Sequence, residues 1–420
     1  MGSLGKFPYE ILSMVNTYAA DWVLLESLSE VSPHFKGLFT GDSDTEADRE
    51  AIRVVESILQ QNPVMRYELH CLFRMSVKLR QSSITAGSLD EFMAQDHSLS
   101  LMASPPLISP AILKEMVSIA ANIQRLACAC LTTFLHRVGK VQPRCWEKGN
   151  DHGTEPYQPR EAGPPSWIEE YRVYRALWYL QLYSDVSIAG QRLNWAQHDV
   201  EYWWFYEMHW VQVPVILGEE VRTISECLES LDRLNPILRT TKAIAAKSPT
   251  EKKHHFDIRL VSQLPNIRQL RHEFNVWAPP SPTTIAGDKH AFPQDVWGQA
   301  VISIHYNRMA ELFRVCQLRT TTDPARHQVC DIQDSRPWRG LGMRIWDLWR
   351  CYCLGLYPVI YSRGKEICLV PAPDGSVVPQ GCFPADRGGE LSYRISVFMY
   401  ARMQMEEHER EESVSSRGLY

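Results

Sequence analysis

A mainly α fold is the prediction, and three features of the 420-residue chain carry it. Apolar residues recur at three- and four-residue spacing through the first 138 positions, helix start and stop chemistry separates the runs, and one short stretch has hairpin character. The expected architecture is an N-terminal unit of three short helices, packed on or tethered to an irregular helical body, with at most a small β-hairpin near the C-terminus. Breaker residues divide the chain into five segments: 1–40 for the three-helix unit, 41–138 helical, 139–166 a Gly/Pro-rich loop or linker, 167–405 an aromatic-rich helical body, and 406–420 a charged tail.

Pro8 suits a first helical turn, where its missing N–H is not needed, and Ile11, Leu12, Val15, Tyr18 and Ala19 then fall on one apolar face that requires a cover. Asp21 is placed to cap a second helix, whose Trp22, Leu24, Leu25, Leu28 and Val31 exceed one narrow stripe and imply two neighbours. Ser32 and Pro33 form an N-cap and first-turn pair for a third helix through Phe35. Three helices in about 35 residues bury too little apolar surface to stand alone, so they need the rest of the chain or a partner. Further on, Ala51, Ile52, Val55, Ile58 and Leu59 mark a helix over 45–61 that Asn62 and Pro63 stop, and Leu69, Leu72, Phe73 and Val77 mark another over 65–79. Ser109 and Pro110 open a long apolar helix to about residue 137. Near the C-terminus, Pro373-Asp374-Gly375 between two short apolar runs reads as the turn of a small hairpin.

Between Trp167 and Trp210 stand 13 aromatic side chains in 44 residues, where the overall aromatic content of 10% would place about four. Two apolar faces run along 167–184, so this helix is expected to be covered nearly all round and to act as a central pillar. The aromatic run Tyr202 to Tyr206 admits two readings: a pocket for a peptide, a methylated lysine or a planar molecule, or core packing at helix contacts. Core packing is the expectation, because a ligand site also needs convergent polar groups.

Composition excludes several function classes. A formal charge of −5 with Lys and Arg spread along the chain leaves no electrostatic footprint for nucleic acid. Lys6 and Glu10 interrupt the place where a signal peptide would be apolar, and no membrane span is expected, which points to the cytoplasm or nucleus. Eleven cysteines without a secretion signal favour free thiols. Cys128 and Cys130 would point about 200° apart on a helix and cannot share a metal there; Cys351 and Cys353 meet the same objection. No metal site and no cofactor is expected.

Catalytic signatures are absent: there is no Gly-x-Ser-x-Gly elbow, His-Glu-x-x-His site, Walker loop or dinucleotide fingerprint. His254-His255 and the acidic run around His408 read as solvated. The pairs Glu169-Glu170 and Glu219-Glu220 are read as acidic residues favoured near helix starts rather than as an acid and base. A non-enzymatic protein is expected.

The order of residue types over 5–39 resembles an F-box, and the matching positions are Phe7, Pro8, Ile11, Leu12, Leu25, Leu28, Val31 and Phe35. Tyr171 to Asp185 and Arg339 to Asp347 are similar to recurring elements of fungal F-box-like proteins. Phe7 stands where that family usually has Leu or Ile, and Tyr18-Ala19-Ala20-Asp21 stands where it usually has a leucine-acidic pair. The resemblance implies that the N-terminal helices dock onto an Skp-type adaptor of a cullin-RING ubiquitin ligase while the body selects an unidentified protein target. The alternatives are a helical scaffold in which these helices are folded into the body and, less favoured, an enzyme whose site is assembled from residues distant in sequence. Exposure of Pro8, Ile11, Leu12 and Leu28 decides between docking and scaffold.

Overall fold

Asp21 accepts a hydrogen bond from the Leu24 amide (2.8 Å) in a computed structural model of the chain, so the second helix starts where its capping chemistry predicts. The structure describes residues 8–40, 45–103, 108–139, 162–201, 203, 214–234, 264–267, 275–281, 339–347, 350, 369–371 and 377–379. Phe7, most of the 139–166 loop, the Tyr202 to Trp210 run apart from Trp203, His254-His255, Cys351, Cys353 and the 406–420 tail lie outside them.

The fold is mainly α-helical. In order come α1 (Tyr9–Ala19), α2 (Trp22–Val31), α3 (Pro33–Leu38), α4 (Thr45–Gln61), α5 (His70–Arg80), α6 (Leu89–Met93), α7 (Pro110–Gly139), α8 (Trp167–Leu193) and α9 (Pro214–Leu234). Two three-residue strands, β1 (Leu369–Pro371) and β2 (Val377–Pro379), pair antiparallel with Val370 opposite Val378. Ser32 occupies the N-cap of α3 ahead of Pro33, but its hydroxyl makes no capping bond.

Pro63 ends α4, and one π-type turn (Met65–Leu69) leads into α5. The buried Asn62 holds this corner: its Oδ1 accepts from the Val64 and Met65 amides (3.1 Å each), and its Nδ2 donates to the Ala20 carbonyl (2.7 Å). Ala20 lies at φ 45°, in the left-handed region, between α1 and α2. One side chain thus fixes two chain reversals 42 residues apart.

Packing divides the chain into two compact units, Met1–Thr132 with Glu170–Pro282 and Thr133–Glu169 with Thr283–Tyr420. The first unit takes α7 as far as Thr132 and α8 from Glu170 onward. Along α8 every residue from Trp167 to Leu182 is buried except the half-buried Tyr179, which is the all-round cover its two apolar faces predict. Trp22 of α2 stacks on Phe73 of α5 at 5.3 Å, and Phe73 meets Trp178 of α8 edge-on at 5.7 Å. Trp195 donates its indole N–H to the Ala86 carbonyl (2.9 Å). These aromatic residues are core. Although α7 contains a stretch long and apolar enough to cross a membrane, 72% of that window is buried within the fold.

In the second unit, Arg350 gathers the chain. It bonds both oxygens of Glu169 (2.8 and 3.0 Å) and the carbonyls of Gly163 and Pro164, and lies 5.0 Å over the Trp346 ring. Trp346 in turn meets Phe134 edge-on and donates to the Leu341 carbonyl (2.8 Å).

Candidate functional site

The residues matched to an adaptor-docking face separate into two sets. Leu12, Leu25, Leu28 and Phe35 are buried, so they hold the helices together and present no surface. Pro8 is exposed, and Ile11, Met14, Val15 and Val31 are 46%, 54%, 47% and 58% exposed. The apolar face drawn along α1 is therefore not covered as a whole: Leu12 turns inward, while Ile11, Val15 and Ala19 remain outside. Adjacent helical positions diverge by about 100°, so on a helix covered along one side Ile11 can face out while Leu12 faces in.

Ile11, Met14 and Val15 are neighbours at three- and four-residue spacing, with Pro8 one turn earlier. Exposed apolar residues grouped in this way are the candidates for a contact surface on a folded protein. Sequence reasoning missed Met14, although its spacing from Ile11 was the available signal.

Buried polar contacts fasten α2, the helix that follows this strip, to α7. Glu26 of α2 pairs with Arg125 of α7, and both side chains are buried; Ser118 donates to the other Glu26 oxygen at 3.0 Å. Gln124 of α7 accepts from the Trp22 amide (3.1 Å) and donates to Asp21 (3.0 Å). The N-terminal segment is thus joined to the body by charge and hydrogen bonding as well as by apolar contact.

Other carboxylates are buried too, which a preference for helix starts does not explain. Glu56 pairs with Arg74 (2.7 Å), Glu220 with Arg175 (2.6 Å), and Asp185 with Arg80, and Glu169 pairs with Arg350. Each of these four carboxylates has a guanidinium beside it, the arrangement that buried charge requires. Burial raises Asp185 to about 6 against the pull of Arg80. Burial and the neighbouring Asp347 raise Glu169 from 4.5 to about 7 against the pull of Arg350. Burial likewise pushes the Cys128 thiol up to about 12, leaving it unreactive at neutral pH. Among the described residues no group of three His, Cys, Asp or Glu is placed to hold a metal ion.

The Glu169 shift has a defined sign. The folded protein holds the Glu169 proton to about pH 7 and the unfolded chain only to about 4.5, so raising the pH between these values favours unfolding. Its contribution is fully present below pH 4.5 and is lost by pH 7, up to about 3 kcal/mol. Urea denaturation at pH 5.0 and 7.5 is expected to show a smaller fall in stability for Glu169→Gln than for the wild type. Equal falls would show that Glu169 does not titrate in this range.

No family model matches the chain, and neither does any curated protein or any solved structure.

Proposed function

We propose that α1–α3 form an F-box-like docking unit for an Skp-type adaptor of a cullin-RING ubiquitin ligase, and that the helical body selects a target protein. The observation that carries this reading is the uncovered apolar strip of Pro8, Ile11, Met14 and Val15 on α1, in the segment whose residue order resembles an F-box. Val31 adds a further exposed apolar side chain at the end of α2. Leu12, Leu25, Leu28 and Phe35 serve this reading as the support that fixes the strip. The role is binding, with no catalytic residue and no cofactor.

Ile11→Glu with Met14→Glu tests it, because both positions are exposed and the buried Leu12 stays intact. Co-purification of the Skp-type adaptor is expected to fall at least about tenfold, with the melting temperature within about 2 °C of the wild type. Undiminished capture of the adaptor by the double variant would sink the docking assignment.

A second reading rests on a different observation. The Glu26–Arg125 pair and the burial of Leu25, Leu28 and Phe35 integrate these helices into the body, as a helical scaffold without ligase traffic would require. Failure of the wild-type chain to capture any adaptor would favour it.

A further inference from the structure

Residues 275–281 belong to no helix or strand, yet one of them is bound at every polar atom it has. The Trp277 amide donates to Cys128 Sγ (3.5 Å), and its carbonyl accepts from Gln124 Nε2 (3.0 Å) and from the Cys128 thiol (3.6 Å). Its indole N–H donates to Glu170 Oε1 at 2.7 Å. Gln124, Cys128 and Glu170 are all buried side chains of α7 and α8, so the receiving groups stand on complete helices.

The segment lies on these helices in the manner of an extended peptide. Val276 and Ala278 are exposed, Trp277 is half-buried and Pro279 is buried, which is the two-residue alternation of an extended chain with one face bound. Helical proteins ordinarily bind a connecting segment through its own turns and caps. Here three side chains from two helices read backbone donor, backbone acceptor and indole of a single residue, and Pro279 two positions on is buried.

We infer that Gln124, Cys128 and Glu170 form a recognition site for an extended Trp-x-Pro peptide, filled in this structure by the chain's own Trp277-Ala278-Pro279. The partner it fits is a protein segment in which a tryptophan stands two residues before a proline. Such a segment must compete with an internal one, whose effective concentration is in the millimolar range for a short tether. The internal segment therefore keeps the site closed to weak ligands. The site is separate from the α1 strip, so adaptor docking can fail while peptide binding stands, and the reverse.

The experiment uses the full chain carrying Trp277→Ala and a fluorescein-labelled peptide of residues 275–281, Asn-Val-Trp-Ala-Pro-Pro-Ser. Fluorescence anisotropy should show saturable binding to the variant and at least about tenfold weaker binding to the wild type, whose site is occupied. The same peptide with alanine for tryptophan should not bind, and Glu170→Ala added to the variant should abolish binding. A folded Trp277→Ala chain that ignores the peptide overturns the proposal, as does equal binding of both peptides. Should that variant not fold, amide exchange in the wild type decides: millimolar peptide should speed exchange at residues 275–281 by about tenfold, and unchanged exchange overturns the proposal.

Discussion

Arg125→Met is expected to lower the stability of the chain by about 3–5 kcal/mol, because it leaves Glu26 buried without its guanidinium. Both side chains are almost wholly buried, so water does not screen the loss. The Ser118 hydroxyl on one Glu26 oxygen does not balance a charge. Glu26→Leu with Arg125→Met, an apolar pair of similar bulk, should recover most of the loss, since replacing both members of a buried pair is often neutral. Urea denaturation of the two single variants and the double variant gives the coupling directly. A cost below about 1 kcal/mol for Arg125→Met would show that solvent reaches Glu26.

The same variant bears on function, because Glu26–Arg125 fastens α2 to the body. Under the docking reading, loosening this joint should leave the α1 strip in place as long as α1–α3 remain folded, and adaptor capture should survive the loss of stability. Under the scaffold reading there is nothing to capture before or after. Stability and capture therefore respond independently in the first case only.

Legibility in the sequence follows the range of the interaction. Asp21 as a cap, Pro63 as a stop and Pro110 as an opener act within a few residues, and each lies where local chemistry puts it. The burial of α8 on all sides was equally legible, since apolar residues on two faces leave no side for water. Buried ion pairs were not, because their members are far apart in sequence: Glu26 and Arg125 by 99 residues, Arg80 and Asp185 by 105, Glu169 and Arg350 by 181. A charge reads as surface until its partner is known. The divided face of α1 failed for a related reason, as Ile11 and Leu12 are chemically alike and only packing tells them apart. The tryptophan site went unseen because Gln124, Cys128 and Glu170 acquire meaning only when Trp277 arrives from 153, 149 and 107 residues away.

Gly342→Val should be strongly destabilising to the second unit. Gly342 sits at φ 69°, which a β-branched residue adopts only at a cost, and a Cβ placed there would stand 2.7 Å from Phe134 Cγ. Neither neighbour can yield easily. Phe134 is fully buried and set edge-on to Trp346 at 6.1 Å, and Trp346 is held by its bond to the Leu341 carbonyl and by Arg350 over its ring. The turn is further tied by Arg137, which donates to the Gly340 carbonyl at 3.0 Å. Overpacking at a rigid site and a strained backbone together should cost about 3–5 kcal/mol. The two causes separate in a cycle with Phe134→Ala, which removes the Cγ and Cδ2 atoms that the incoming Cβ would meet. In that background Gly342→Ala should keep a backbone cost of about 1 kcal/mol and lose most of the steric one. Equal costs of Gly342→Ala in both backgrounds would assign the whole effect to φ and remove Phe134 from the explanation.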